Sequence, residues 1–270
     1  MRTAVEHIMG TAISIAAPDS VAPQQFQAAT AVAFGYLRHI DDVFSPFRKD
    51  SPISHLRDGR LRLSDLDGHP HGPAIREVLD LCEVLKQASG GAFDAWAVGD
   101  PPGFDPSGAV KGWAAEHASG LLVDAGLPRH ALNAGGDVRV HGVRTDDFPW
   151  RVGITDPHRP DTVLAVVAIH AGAVATSGVA ERGAHIWHPH TTRRATALAQ
   201  VTVTGPDLTL ADGYATAAVA MNDVRAAHTW LRGLDPGHQA MTVDPAGHVW
   251  RTAGMAALTR PSVAAAPRSG

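Results

Sequence analysis

Asp212 and Thr216 stand four residues apart in Leu210-Ala211-Asp212-Gly213-Tyr214-Ala215-Thr216-Ala217-Ala218-Val219-Ala220-Met221, a small and apolar stretch that reads as a helix. Residues at i and i+4 share a helix face, so the pair can present two hard oxygens to one point. Such a set suits a Mg²⁺ ion that keeps several waters and completes its shell from substrate phosphates. The same spacing fits a buried helix on which Asp212 caps a neighbour and Thr216 bonds back to the carbonyl at i−4. Gly135-Gly136 has a similar double reading. Two residues without Cβ let the backbone approach a ligand and offer N–H groups to phosphate oxygens, or they make a tight turn or bulge.

The chain has sixteen histidines, and His185, His188 and His190 crowd into one short span. A transition-metal site there would need further ligands and a second shell that the sequence does not show. A single imidazole acting as a base is the simpler chemistry, because histidine titrates close to neutral pH. A satisfied polar residue at a strand end is the alternative for His185. Thr176-Ser177-Gly178 has no Ser–His–acid order around it, so it reads as a ligand-contacting or loop-forming segment and not as a nucleophile.

Helices and strands alternate, without an internal repeat. A strand is expected at 11–16, followed by a long helix capped by Asp19 or Ser20, whose apolar residues Phe26, Ala29, Ala33, Leu37 and Ile40 step by three and four. A second helix, 74–89, carries Ile75, Val78, Leu79, Cys82 and Leu85 on one face and stops at Gly90-Gly91, with Phe93 packed inside and Asp94 closing the turn. A third runs over 112–125. Strands rich in Val, Ile and Thr are expected at 131–133, 137–141, 150–155, 163–169, 173–176 and 200–204, with a hairpin from 240–244 and 248–252 around Pro245-Ala246-Gly247. Asp100-Pro101-Pro102-Gly103 reads as a loop and not a domain linker. Residues 1–260 are expected to form one domain, and the Ala-, Pro- and Ser-rich tail, 261–270, to be disordered.

With 270 residues the chain is long enough for a sizeable core. A net charge of −4, with Lys and Arg scattered, argues against nucleic acid or an anionic membrane surface as the main partner. Cys82 is the only cysteine, which excludes an intramolecular disulfide and thiol–zinc clusters. No stretch approaches the ~20 apolar residues of a membrane span, and Met1-Arg2-Thr3-Ala4-Val5-Glu6-His7 lacks the apolar core of a signal peptide. A cytoplasmic protein without membrane insertion is therefore expected.

Several short segments, in order, resemble the ApbE family of FAD:protein FMN transferases: Met9-Gly10-Thr11 after a short strand, Arg48-Lys49-Asp50-Ser51, Gly90-Gly91-Ala92-Phe93-Asp94, Gly108-Ala109-Val110-Lys111-Gly112-Trp113-Ala114, Asn133-Ala134-Gly135-Gly136-Asp137, Val174-Ala175-Thr176-Ser177-Gly178, His185-Ile186 before Pro189, and the Asp212 helix. The resemblance implies an α+β fold, ApbE-like and related to the T-fold, with mixed or antiparallel sheets and packed helices. It also implies transfer of FMN from FAD to a Thr or Ser hydroxyl of an acceptor flavoprotein, with AMP leaving and Mg²⁺ as cofactor. By that match, Asp212, Thr216 and a backbone carbonyl of Gly108 or Ala109 hold the metal, and His185 takes the proton of the attacking hydroxyl. The flavin nucleotide then falls to Met9, Gly10, Gly91, Phe93, Asp94, Lys111, Gly135, Gly136, Asp137, Thr176, Ser177 and Gly178. Lys111 can face a phosphate or an acid of the fold, and an acid is favoured, because a Lys ahead of a helix packs its stem and snorkels.

Departures from the family pattern bear on the substrate. His188 stands where the family has an acid, Thr192 where it has Gly, Arg57 at an Asn-like position, and Val179-Ala180 lack the usual polar or aromatic character. Two alternatives to the FMN transferase stay open on the sequence: an FAD pyrophosphatase or a transferase using another nucleotide, and a catalytically silent flavin-binding protein.

Overall fold

The strand periodicities combine into antiparallel sheets and the helical ones into helices that cover them. A computed structural model describes residues 1–144, 148–178 and 185–261. In chain order it comprises β1 (Arg2–Ile8), β2 (Thr11–Ala17), α1 (Pro23–Phe44), α2 (Pro52–Arg57), α3 (Gly72–Ala88), α4 (Ser107–Asp124), β3 (His130–Ala134), β4 (Asp137–His141), β5 (Trp150–Asp156), β6 (Arg159–Ile169), β7 (Gly172–Gly178), β8 (Trp187–His188), β9 (Arg193–Arg194), β10 (Gln200–Gly205), α5 (Leu208–Ala220), α6 (Val224–Arg232), β11 (Gln239–Val243), β12 (Val249–Arg251), α7 (Ala253–Leu258) and β13 (Thr259–Pro261). One eight-stranded sheet runs β1-β2-β3-β4-β7-β10-β11-β12, a three-stranded sheet runs β13-β6-β5, and β8 pairs with β9. Every pairing is antiparallel. The architecture is α+β.

Two hydrophobic interiors flank the large sheet. The larger gathers the buried faces of α1, α3, α4 and α5 against β2, β3 and β10, with Ala173 and Ala175 of β7. The smaller, between the large sheet and β5–β6, takes Val138, Val140, Val174 and Met241 from one side and Trp150, Val152, Ile154, Ala165 and Val167 from the other.

Several boundaries differ from expectation, each for a local reason. Neither Asp19 nor Ser20 caps α1; the helix begins at Pro23, whose fixed φ suits the first helical position, and Asp19 instead accepts from the N-terminal amine at 2.5 Å. Helix α4 starts at Ser107 and not at 112, so Gly108 and Lys111 lie in its first turns and not in a loop. Strand β13 pairs with β6 through Pro261, just beyond the expected domain end, and 262–270 lie outside the described residues.

Small residues set the approach of α5 to α3 and to α4. A β-carbon on Gly213 would fall 2.5 Å from Leu85 Cδ2, and one on Gly108 would fall 3.1 Å from both Phe93 Cε2 and Thr216 Cγ2. These close fits draw the start of α4, the 93 turn and the middle of α5 together.

Candidate active site

The pocket at this junction encloses about 1140 Å³ of empty space, open solvent included. Most of the sequence-predicted residues converge on it: Phe93, Asp94, Gly108, Lys111, Gly135, Thr176, Ser177, Gly178, His185, Asp212 and Thr216 all line its wall. Asp212 is 2 % exposed. Its Oδ2 accepts the N–H of Gly112 at 2.9 Å, a donor that helix geometry aims at the carbonyl of Gly108. Lys111 Nζ lies 3.2 Å from both carboxylate oxygens of Asp212 and also meets Asp137 Oδ2. The favoured acid partner of Lys111 is thus present twice. Thr216 Oγ1 and Ser177 Oγ are hydrogen-bonded at 3.1 Å, which ties α5 to the end of β7.

Asp137 has no solvent-accessible surface and stands behind the wall, with its Oδ1 accepting the N–H of Thr176 at 2.7 Å. The Thr176 hydroxyl meets Thr202 Oγ1 at 3.0 Å. Asp94 pairs with Lys86 at 2.8 Å, and this hydrogen bond holds the Lys86 ammonium above the ordinary lysine range. It also closes its own turn by accepting the Trp96 N–H at 2.9 Å.

Met9, Gly10, Gly91, Gly136 and Asp137 are not part of the pocket wall. Met9 and Gly10 form the two-residue turn of the β1–β2 hairpin at φ 55° and 69°, and Gly135 and Gly136 form that of β3–β4 at φ 60° and 95°. The N–H groups of the Gly pair already have partners, Gly135 on Ala12 O at 3.1 Å and Gly136 on Asn133 Oδ1 at 2.8 Å. The pair is therefore a tight turn and not a set of open phosphate donors. A β-carbon on Gly135 would fall 2.5 Å from Thr11 Oγ1, which packs one hairpin turn on the other. Gly90 and Gly91 terminate α3 at φ 61° and 86°, with Gly91 N donating to Lys86 O at 2.8 Å.

His185 lines the pocket from an exposed position. The chain beyond it is anchored where Ala195 N donates to Ile186 O at 2.8 Å. His188 Nδ1 accepts the His190 N–H at 3.2 Å, within a turn and outside the wall. Among the described residues no group of three His, Cys, Asp or Glu side chains is placed to hold a metal.

Sequence reasoning missed Asp105, Ser107, Trp187 and Gln200 in the lining. Asp105 Oδ1 accepts the Ser107 N–H at 2.9 Å, and its place two residues ahead of a helix start was a readable signal. Trp187 carried none: it faces the pocket with the Arg194 guanidinium 4.7 Å from its ring centroid, a pairing across β8–β9.

Residues 97–242, more than half of the sequence, match the model of the ApbE family. The chain belongs to that family. Among curated proteins it is 31 % identical over 132 residues to an FAD:protein FMN transferase of Klebsiella pneumoniae, across 45 % of this chain and 38 % of that protein. It is 38 % identical over 119 residues to that of Rhodobacter capsulatus, across 40 % and 22 %. The match thus spans well under half the length of these relatives. The fold resembles the ApbE protein of Thermotoga maritima (TM-score 0.75, 20 % identity, 96 % of this chain and 99 % of that one) and the flavin transferase ApbE of Vibrio cholerae (TM-score 0.74, 17 % identity, 95 % and 99 %). Among the described residues of this ApbE-family chain, no helix is long and apolar enough to cross a membrane.

Proposed function

We propose that this chain transfers FMN from FAD to a Thr or Ser hydroxyl of a target flavoprotein. The observation that carries this reading is the convergence of Asp212, Thr216, Ser177, Gly108 and His185 on one pocket in an ApbE-family chain. In the reaction the acceptor oxygen forms a bond to the FMN-side phosphorus, the bridging P–O bond breaks, and AMP departs with that electron pair.

The donor set fits Mg²⁺. Asp212 contributes a buried carboxylate already held by an ammonium, Thr216 a hydroxyl, and the first turn of α4 a carbonyl at Gly108 or Ala109. One carboxylate and neutral oxygens leave coordination positions for water and substrate phosphates. Bound there, Mg²⁺ would neutralise pyrophosphate charge and stabilise the leaving AMP. His185 accepts the proton of the attacking hydroxyl, and its exposed position suits an acceptor as large as a protein. Ser177 orients Thr216 through their hydrogen bond, and Phe93, Trp187 and Val98 give the wall apolar and aromatic surface for a flavin. The expected cytoplasmic location remains part of this proposal.

The test is incubation of the purified chain with FAD, Mg²⁺ and a flavoprotein domain bearing an Asp-x-x-Ser/Thr-x-x-Thr acceptor segment. Covalent flavin seen by in-gel fluorescence, together with free AMP, is the expected result. AMP with free FMN and no labelled acceptor would instead make the chain an FAD pyrophosphatase, and neither product would leave a flavin-binding protein.

A further inference from the structure

We infer that Lys111 is a resident cation that holds Asp137 and Asp212 together while no metal is bound, and that a divalent metal at Asp212 takes over part of its charge. The inference rests on the metal reading of Asp212. The side chains of Asp137 and Asp212 are 0 % and 3 % exposed, that of Lys111 only 22 %. Two nearly buried carboxylates thus share one ammonium, a formal charge of −1 over the three side chains. Backbone donors relieve part of it, Thr176 N on Asp137 and Gly112 N on Asp212. Removing the Lys111 charge from these three leaves two carboxylates in a low-dielectric setting, which is strongly unfavourable.

The Lys111 ammonium bridges the two acids: it meets Asp137 Oδ2 and lies 3.2 Å from each oxygen of Asp212. A metal can engage Asp212 while Lys111 stays on Asp137. With Mg²⁺ added, the formal charge of the cluster changes from −1 to +1. The metal-free cluster repels a pyrophosphate and the loaded one attracts it, so the nucleotide binds productively after the metal. Lys111 also spans the pocket: it lies on α4 and reaches α5 through Asp212 and β4 through Asp137, and Asp137 in turn holds β7.

Thermal unfolding without FAD or acceptor reads this directly, with MgCl₂ or EDTA as the only variable. In EDTA, Lys111→Met should unfold roughly 10 °C below the parent, given the usual cost of breaking a buried ion pair in a chain of this size. Mg²⁺ alone should recover part of that loss and should raise the parent by less. Lys111→Arg should stay near the parent, and Lys111→Met/Asp212→Asn should lie above Lys111→Met in EDTA and ignore Mg²⁺. A Lys111→Met protein as stable as the parent in EDTA, or indifferent to Mg²⁺, overturns the inference. If Lys111→Met does not fold, a double variant that also fails to fold overturns it as well. Because no nucleotide is present, a chain that transfers no FMN would refute the proposed function and leave this result standing.

Discussion

A β-carbon on Gly112 would fall 2.6 Å from the β-carbon of Asp212 and 3.0 Å from its Oδ2. The bare backbone of α4 is what lets the Asp212 carboxylate settle against that helix and receive its N–H. Asp212 is thus held in place by main chain as well as by charge, as its proposed role as a metal ligand requires.

Asp212→Ala should abolish metal-dependent turnover and leave the fold intact, since Lys111 keeps Asp137 as a partner. Thr216→Ala should be milder, because a neutral hydroxyl contributes less to a hard cation than a carboxylate does. Turnover as a function of Mg²⁺ concentration, paired with circular dichroism, checks both. Full activity of Asp212→Ala at limiting Mg²⁺ contradicts the assignment.

His185→Ala should lower FMN transfer by roughly 10²–10⁴-fold while FAD still binds, the usual size of general-base assistance. His188→Asp should leave FAD affinity and rate close to the parent. His188 accepts the His190 N–H in a turn, a bond that an aspartate can also accept, and it does not line the pocket. Rates and FAD titrations of both variants decide the matter; parental transfer by His185→Ala removes His185 from its role.

Thr192, which the sequence resemblance sets at a glycine position, has φ 50°, a left-handed conformation that a β-branched residue adopts at a cost. Thr192→Gly should raise stability by about 1 kcal/mol, seen as a higher urea midpoint with an unchanged slope. A lower midpoint would mean that the threonine side chain contributes more than the strain costs.

Burial pushes the His130 imidazole down from its ordinary value of 6.5 to about 4, and the backbone hydrogen bond to Leu127 only partly opposes this. The folded protein keeps His130 neutral, while the unfolded chain takes up its proton below pH 6.5. Stability is therefore full above pH 6.5 and falls as pH drops towards 4, by an amount on the order of 3 kcal/mol for this group. Urea denaturation across that window should show a steeper fall for the parent than for His130→Gln. Parallel curves would refute the assignment.

That Asp212 and Thr216 share one face of α5 was legible because a helix repeats locally: they sit four residues apart whatever surrounds them. Strands β3 to β7, β10 and β11 were legible for a similar reason, chiefly as runs of Val, Ile and Thr, whereas the two-residue β8 and β9 were not. What local pattern could not supply was partners at long range. Lys111 could be assigned an acid, but not two acids contributed by two other elements. The Gly135-Gly136 pair kept both its readings until the Ala12 carbonyl of β2 and the Asn133 side chain of β3 came into place. The early start of α4 was hidden because Gly108 read as lying in a loop ahead of the helix, whereas close packing on Phe93 and Thr216 selects a glycine inside it.

Strand β7 sends Ala173 and Ala175 into one hydrophobic interior and Val174 into the other. A strand polar on both faces can slip its register at modest cost, but a slide here would drive valine into alanine-sized space and leave a void opposite. The alternation is thus a steric ratchet with a single tooth engaged. It fixes how far β7 extends towards the pocket, so the depth at which Ser177 meets Thr216 is set by small and large side chains that never touch a ligand.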